Sequence, residues 1–112
     1  MDTMDFNAYQ IRARETAIYP NIDHNWEYVV LGLVGEAGEL ANKCKKIQRD
    51  DRGVITDQKR EEIKDELGDI LWYIANTAAE FHIDFDAIAV KNLMKLQDRR
   101  SRDKISGFGD NR

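Results

Sequence analysis

The chain has 112 residues, 42% apolar and 34% charged, with a formal net charge of -4. That length suits a single domain over 1–112 with a modest core, which burial against another subunit would reinforce. The acidic balance disfavours a nucleic-acid polymer as partner, since phosphate neutralisation needs basic side chains, and no apolar stretch is long enough to span a bilayer. The opening MDTMDFNAYQ has no basic region followed by an apolar run, so it does not read as a signal peptide. A lone cysteine, Cys44, can form no internal disulfide, which fits a reducing cytoplasm.

The first predicted helix runs from Phe6 to Tyr19 and is stopped by Pro20. The polar segment 21–25 is turn-like, and one of its Asp or Asn residues caps a second helix over 26–48. The apolar residues there (Val30, Leu33, Ala37, Leu40, Cys44, Ile47) step by three or four, the helical period. Residues 49–53 read as a turn, with Thr56 as cap of a third helix over 57–82. Its stripe is Ile63, Leu67, Ile70, Ile74, Ala78 and Phe81. Asp84 is the expected cap of a fourth helix with Phe85, Ile88, Ala89, Leu93 and Leu96 on one face, and residues 106–112 read as coil. No segment alternates with period two, so the fold class is all-α, and a helical bundle is the simplest architecture.

Two acid pairs carry the chemistry: Glu36-Ala37-Gly38-Glu39 on the second helix and Glu66-Leu67-Gly68-Asp69 on the third. Residues three apart on a helix are neighbours, and like charges so placed destabilise an isolated helix. Taking each apolar stripe as reference, Glu36, Glu39 and Lys43 fall roughly 60–120° to one side, and Glu62, Glu66, Asp69 and Tyr73 roughly 85–145° to the same side of theirs. If the stripes pack antiparallel, both acid faces can line one cleft, whose hard oxygens suit Mg²⁺. The bland reading is a solvated charged face, and spacing alone does not separate the two. Gly32, Gly35, Gly38 and Gly68 sit mid-helix at a cost of about 1 kcal/mol each against Ala, which suggests close approach by a ligand or by another helix.

At this point the residues resemble a known family. Leu33-Val34-Gly35-Glu36-Ala37-Gly38-Glu39-Leu40 and Lys64-Asp65-Glu66-Leu67-Gly68-Asp69-Ile70-Leu71-Trp72-Tyr73 are similar to the two signature motifs of MazG-like all-α nucleoside triphosphate pyrophosphohydrolases. Tyr9-Gln10 through Tyr19-Pro20 and the closing 107–112 also resemble short, single-domain members. The resemblance implies a four-helix bundle-like core completed by oligomerisation, as a homodimer or a dimer of dimers. It implies Mg²⁺, with Mn²⁺ as a substitute, on Glu36, Glu39, Glu66 and Asp69, with Glu62 one turn before Glu66 as an additional ligand candidate. The implied reaction cuts a nucleoside triphosphate between its α and β phosphates, as housekeeping against unwanted nucleotides. In relatives a second-helix lysine near the acids and basic residues late in the chain contact phosphates, which makes Lys43, Lys46, Arg99, Arg100 and Arg102 candidates here; Tyr73 matches a position that contacts the nucleoside in some relatives, and Asn76 is a further candidate.

Triphosphate hydrolysis needs charge neutralised on the transferring phosphorus and a positioned water. Glu39 is the expected general base, with Glu36, Glu66 and Asp69 as ligands. Trp26, His24, Trp72 and Tyr73 are candidate base contacts. By helical angle Trp72 lies roughly 155° from its stripe, so it is expected to meet another subunit or a nucleobase rather than the chain's own core. The run Arg99-Arg100-Ser101-Arg102 either completes a helix dipole or captures phosphate. Cys44, on the apolar stripe, is expected in the core rather than as a nucleophile. No Glu-x-x-His pair or Walker-type loop competes. The rival readings are a nucleotide- or metal-binding module without turnover, a purely structural bundle, and phosphoribosyl-ATP pyrophosphohydrolase.

Overall fold

The structure, a computed structural model, describes residues 3–102, 107, 109 and 110. The expected coil over 106–112 therefore lies mostly outside the described residues. Four helices follow one another: α1 (Phe6–Glu15), α2 (Trp26–Asp50), α3 (Asp57–Glu80) and α4 (Phe85–Ser101). Among the described residues there is no strand, and no helix is long and apolar enough to cross a membrane.

Local chemistry sets the helix starts. Asp5, Asn25 and Thr56 each turn a side-chain oxygen onto an N–H of the first turn, at Ala8 (2.7 Å), Tyr28 (3.2 Å) and Lys59 (3.1 Å), satisfying donors that a helix start otherwise leaves open. Asp84 occupies the cap position of α4 but makes no such bond. Its place is taken from outside the helix. Gln10 Oε1 accepts from Phe85 N (3.1 Å) and Asn7 Oδ1 from Asp86 N (2.9 Å), so α1 caps α4.

Two helices end earlier than expected. α1 stops at Glu15 because Thr16 turns its hydroxyl back onto Ala13 O (2.7 Å), and the chain then carries Ala17 and Tyr19 inward against Val29. Pro20 set only an outer bound. α3 stops at Glu80. His82 adopts a left-handed φ of 59°, with Ile83 N bonded to Ala78 O and His82 N to Ala79 O, the paired closure of a helix end.

Packing runs as a chain of pairs: α2 on α3, α1 across another face of α3, and α4 on α1. One cluster gathers Ala13, Ala75 and Phe85; a second gathers Ala17, Tyr19 and Val29. Several stripe residues depart from expectation. Ala37, Cys44, Leu67 and Phe81 are exposed, because α2 packs chiefly on α3 and none of the described residues covers the far side of that pair. Cys44 is thus not a core residue of the chain.

Trp72 is corrected in the opposite direction. It packs against both clusters and donates its indole N–H to Thr16 Oγ1 (2.7 Å). A single apolar stripe gives α3 one buried face, whereas α1 covers a second.

Candidate active site

α2 and α3 bring their acid faces together. One carboxylate oxygen from each of Glu36, Glu66 and Asp69 lies within 4.8 Å of the others. Beside them a cleft of about 310 Å³ is lined by Glu36, Asp69, Trp72 and Tyr73. Larger cavities lie elsewhere, such as one bordered by Gln10, Arg14 and His82, away from the acids.

The electrostatics of the trio are uneven. Lys43 Nζ stands 3.1 Å from Glu66 Oε1 and donates to Glu62 O at 3.5 Å. That ammonium holds the Glu66 carboxyl below its ordinary range, burial opposing it. The other oxygen, Glu66 Oε2, is buried with no hydrogen-bond donor. The opposite happens at Glu36, which is pushed above the ordinary carboxylate range. The first cause is the adjoining Glu66 carboxylate, which favours the protonated form of Glu36; burial and the charges of Asp69, Glu66 and Glu39 add to it. A buried anionic oxygen without a donor is costly unless a cation meets it. Three hard oxygens around it fit a divalent ion such as Mg²⁺, with waters completing its shell.

The remaining expected ligands stand apart. Glu39 is exposed and outside the trio. Glu62 Oε2 lies 3.4 Å from Lys59 Nζ, and Glu62 is not part of the trio.

Tyr73 forms the aromatic wall, set edge-on to Trp72 at 5.0 Å between ring centroids. Its phenol is pushed up by burial first, then by Tyr28, Glu36 and Asp69 around it. Gly32 makes room for this ring: a Cβ there would collide with Tyr73 Cδ1, Cε1 and Cζ. Gly35, Gly38 and Gly68 have open space where a Cβ would stand. Of these four glycines, only Gly32 is therefore explained by helix contact among the described residues.

Other candidates are placed differently from expectation. Asn76 is 1% exposed, with Nδ2 donating to Trp72 O (3.0 Å) and Oδ1 accepting from Arg14 (3.1 Å), so it is a buried link rather than a nucleoside contact. Arg99 is buried, and its guanidinium binds Gly109 O (3.5 Å), Asp110 O (3.0 Å) and Asp110 Oδ1 (3.3 Å). That commits it to the chain's own tail instead of phosphate. Arg102 pairs with Asp98 (2.9 Å), while Lys46 and Arg100 are exposed. His24 and Trp26 lie outside the acid cleft, Trp26 packing on Phe81 with ring centroids 5.9 Å apart.

The sequence reading missed Glu80. It is buried and accepts from Arg14 Nη2 (2.6 Å), Tyr19 OH (2.8 Å), Asp23 N (2.7 Å) and Asn25 N (2.5 Å). One signal was present: an anion in the last turn of a helix opposes the dipole and needs partners.

Comparison with known proteins decides the family. The model of the MazG nucleotide pyrophosphohydrolase domain matches residues 25–102, which include both acid pairs. The chain belongs to the MazG nucleotide pyrophosphohydrolase family. It is also 47% identical over 114 residues to the Gene 37 protein of Mycobacterium phage L5, covering 97% of this chain and 100% of that protein. No solved structure matches it. In this MazG domain the family match spans α2, α3 and α4 and leaves α1 outside, although α1 supplies Arg14 and the cover over Trp72.

Proposed function

We propose that this MazG-family protein hydrolyses nucleoside triphosphates to monophosphate and pyrophosphate, with Mg²⁺, or Mn²⁺ in its place, held by Glu36, Glu66 and Asp69. The observations that support this reading are the convergence of carboxylate oxygens from Glu36, Glu66 and Asp69 beside an aromatic cleft, and a buried, donorless Oε2 on Glu66. When bound, the ion neutralises phosphate oxygens and lowers the pKa of a coordinated water. Glu39, exposed one turn after Glu36, stands free of the trio to take the water's proton. Lys43, and the exposed Lys46 and Arg100, supply positive charge for the phosphates. Tyr73 and Trp72 orient the base from the cleft wall. The protein acts as a homodimer or a dimer of dimers, which would cover Leu31, Val34 and Leu67, 71%, 66% and 52% exposed in the single chain. It works in the cytoplasm, where the exposed Cys44 thiol stays reduced.

The test is pyrophosphate release over a panel of canonical, deoxy and modified triphosphates, with phosphoribosyl-ATP included. Turnover should require a divalent ion and fall by about 10²–10⁴-fold in Glu39→Gln. A melting temperature raised by Mg²⁺ with a non-hydrolysable triphosphate, but no turnover on any substrate, would make the protein a binding module instead.

A further inference from the structure

Glu80 is the last residue of α3 and joins three parts of the chain. From α1 it receives Arg14 Nη2 (2.6 Å), and just beyond α1 the Tyr19 hydroxyl (2.8 Å). From the loop before α2 it receives two backbone donors, Asp23 N (2.7 Å) and Asn25 N (2.5 Å). Asn25 is itself the cap of α2, accepting from Tyr28 N (3.2 Å). One carboxylate on α3 thus fixes where α2 begins. Moving along α2 from that anchor, Gly32 meets the Tyr73 ring, and Glu36 meets Glu66 and Asp69.

The second branch runs through Arg14. Its Nη1 donates to Tyr19 OH and to Asn76 Oδ1 (3.1 Å), and Asn76 Nδ2 donates to Trp72 O (3.0 Å). Trp72 is closed from its other side by Thr16, two residues after Arg14 (2.7 Å). Both branches end on residues that line the cleft: Glu36 and Tyr73 by one, Trp72 by the other. Glu80 touches none of the acid trio, and both it and Asn76 are buried, so neither meets a substrate in the cleft.

We propose that Glu80 is a positioning residue, registering α1 and the start of α2 onto α3 so that Trp72, Tyr73 and Glu36 keep their places around the cleft. The consequence for turnover rests on the triphosphate-hydrolysis reading above. The placement of Trp72 does not.

The experiment compares wild type with Glu80→Gln, which keeps the shape but sets an amide among donors, at a temperature where both give the same helical circular dichroism. The indole N–H resonance of Trp72, identified by its loss in Trp72→Phe, should shift in Glu80→Gln. KM for the best triphosphate should rise about tenfold while kcat stays within about threefold. An unmoved Trp72 resonance with unchanged KM and only a lower melting temperature overturns the proposal, leaving Glu80 a stability residue. If wild type releases no pyrophosphate, the hydrolysis reading falls on its own, and the Trp72 resonance alone decides: shifted supports the positioning role, unmoved ends it. Should Glu80→Gln fail to fold, Tyr19→Phe removes one of the four bonds and leaves the carboxylate. It should move the same resonance in the same direction by a smaller amount, and no movement there is equally fatal.

Discussion

A methyl group at Gly32 would land on the Tyr73 ring, whereas one at Gly68 would meet nothing. Alanine is the better helix former by about 1 kcal/mol, so the two substitutions should have opposite signs. Gly32→Ala should cost about 1–2 kcal/mol net, as overpacking between α2 and α3 exceeds the helical gain. Gly68→Ala should stabilise by up to about 1 kcal/mol. Urea unfolding of the two variants checks this. Equal destabilisation would mean that something besides Tyr73 packs against these glycines. The contrast also shows how far the site was legible. The acid pairs were readable because i, i+3 spacing places each on one face, but spacing did not decide that they converge, and Glu39 stands outside the trio that does. The distinct roles of the glycines were not, because a sequence does not say which side of a helix a neighbouring ring occupies. Asn76 misled for a related reason. By sequence it is a candidate nucleoside contact, but Arg14 on a distant helix claims its oxygen.

At the scale of helices, most starts were legible because caps act locally: Asn25 and Thr56 bond within three residues. The exception is α4, whose first donors are satisfied by α1. This predicts an inversion. Asp84→Ala, at the formal cap, should cost less than about 0.5 kcal/mol, since no bond is lost. Gln10→Ala should cost about 1–3 kcal/mol, because Gln10 serves Phe85 N and also donates to Ala75 O (3.2 Å) and Ile83 O (2.9 Å). Thermal melts of the pair decide, and a larger loss for Asp84→Ala would refute capping by α1. The early ends of α1 and α3 were illegible on similar grounds. The Thr16 hydroxyl that closes α1 on Ala13 O also accepts from Trp72 of another helix, and His82 takes a left-handed φ that sequence offers more readily to glycine.

For the molecule as a whole, the Glu80 cluster contributes to the acid limb of stability. Burial alone would raise this carboxyl, but Arg14, Asn25 N, Tyr19 and Asp23 N outweigh it and bring it down to about 2 from an ordinary 4.5. A depressed acid contributes stability above its unfolded pKa and loses it as pH falls through the folded one. About 3 kcal/mol should therefore disappear between pH 4.5 and pH 2, and Glu80→Gln should flatten that limb. Tyr19 works at the other end. Burial and its bond to Glu80 push its phenol up to about 12, so its contribution holds below pH 10 and fades as pH rises toward 12. Neither limb explains how open the chain is. Its radius of gyration is 16.9 Å, against roughly 13 Å for a compact domain of this length. Leu31, Val34 and Leu67 on the α2–α3 pair, and Val90, Leu93 and Met94 on α4, are all more than half exposed. An isolated chain seldom leaves that much apolar surface in water. Sedimentation equilibrium at micromolar concentration should return two or four times the monomer mass, and Val34→Glu with Leu67→Glu should lower it while leaving the Thr56 and Asn25 caps, and so the helical signal, intact. A monomeric wild type would mean that these faces meet a different partner. The same measurement after Gly32→Ala would show whether the α2–α3 crossing that shapes the cleft also shapes the association surface, since both are built on the same two helices.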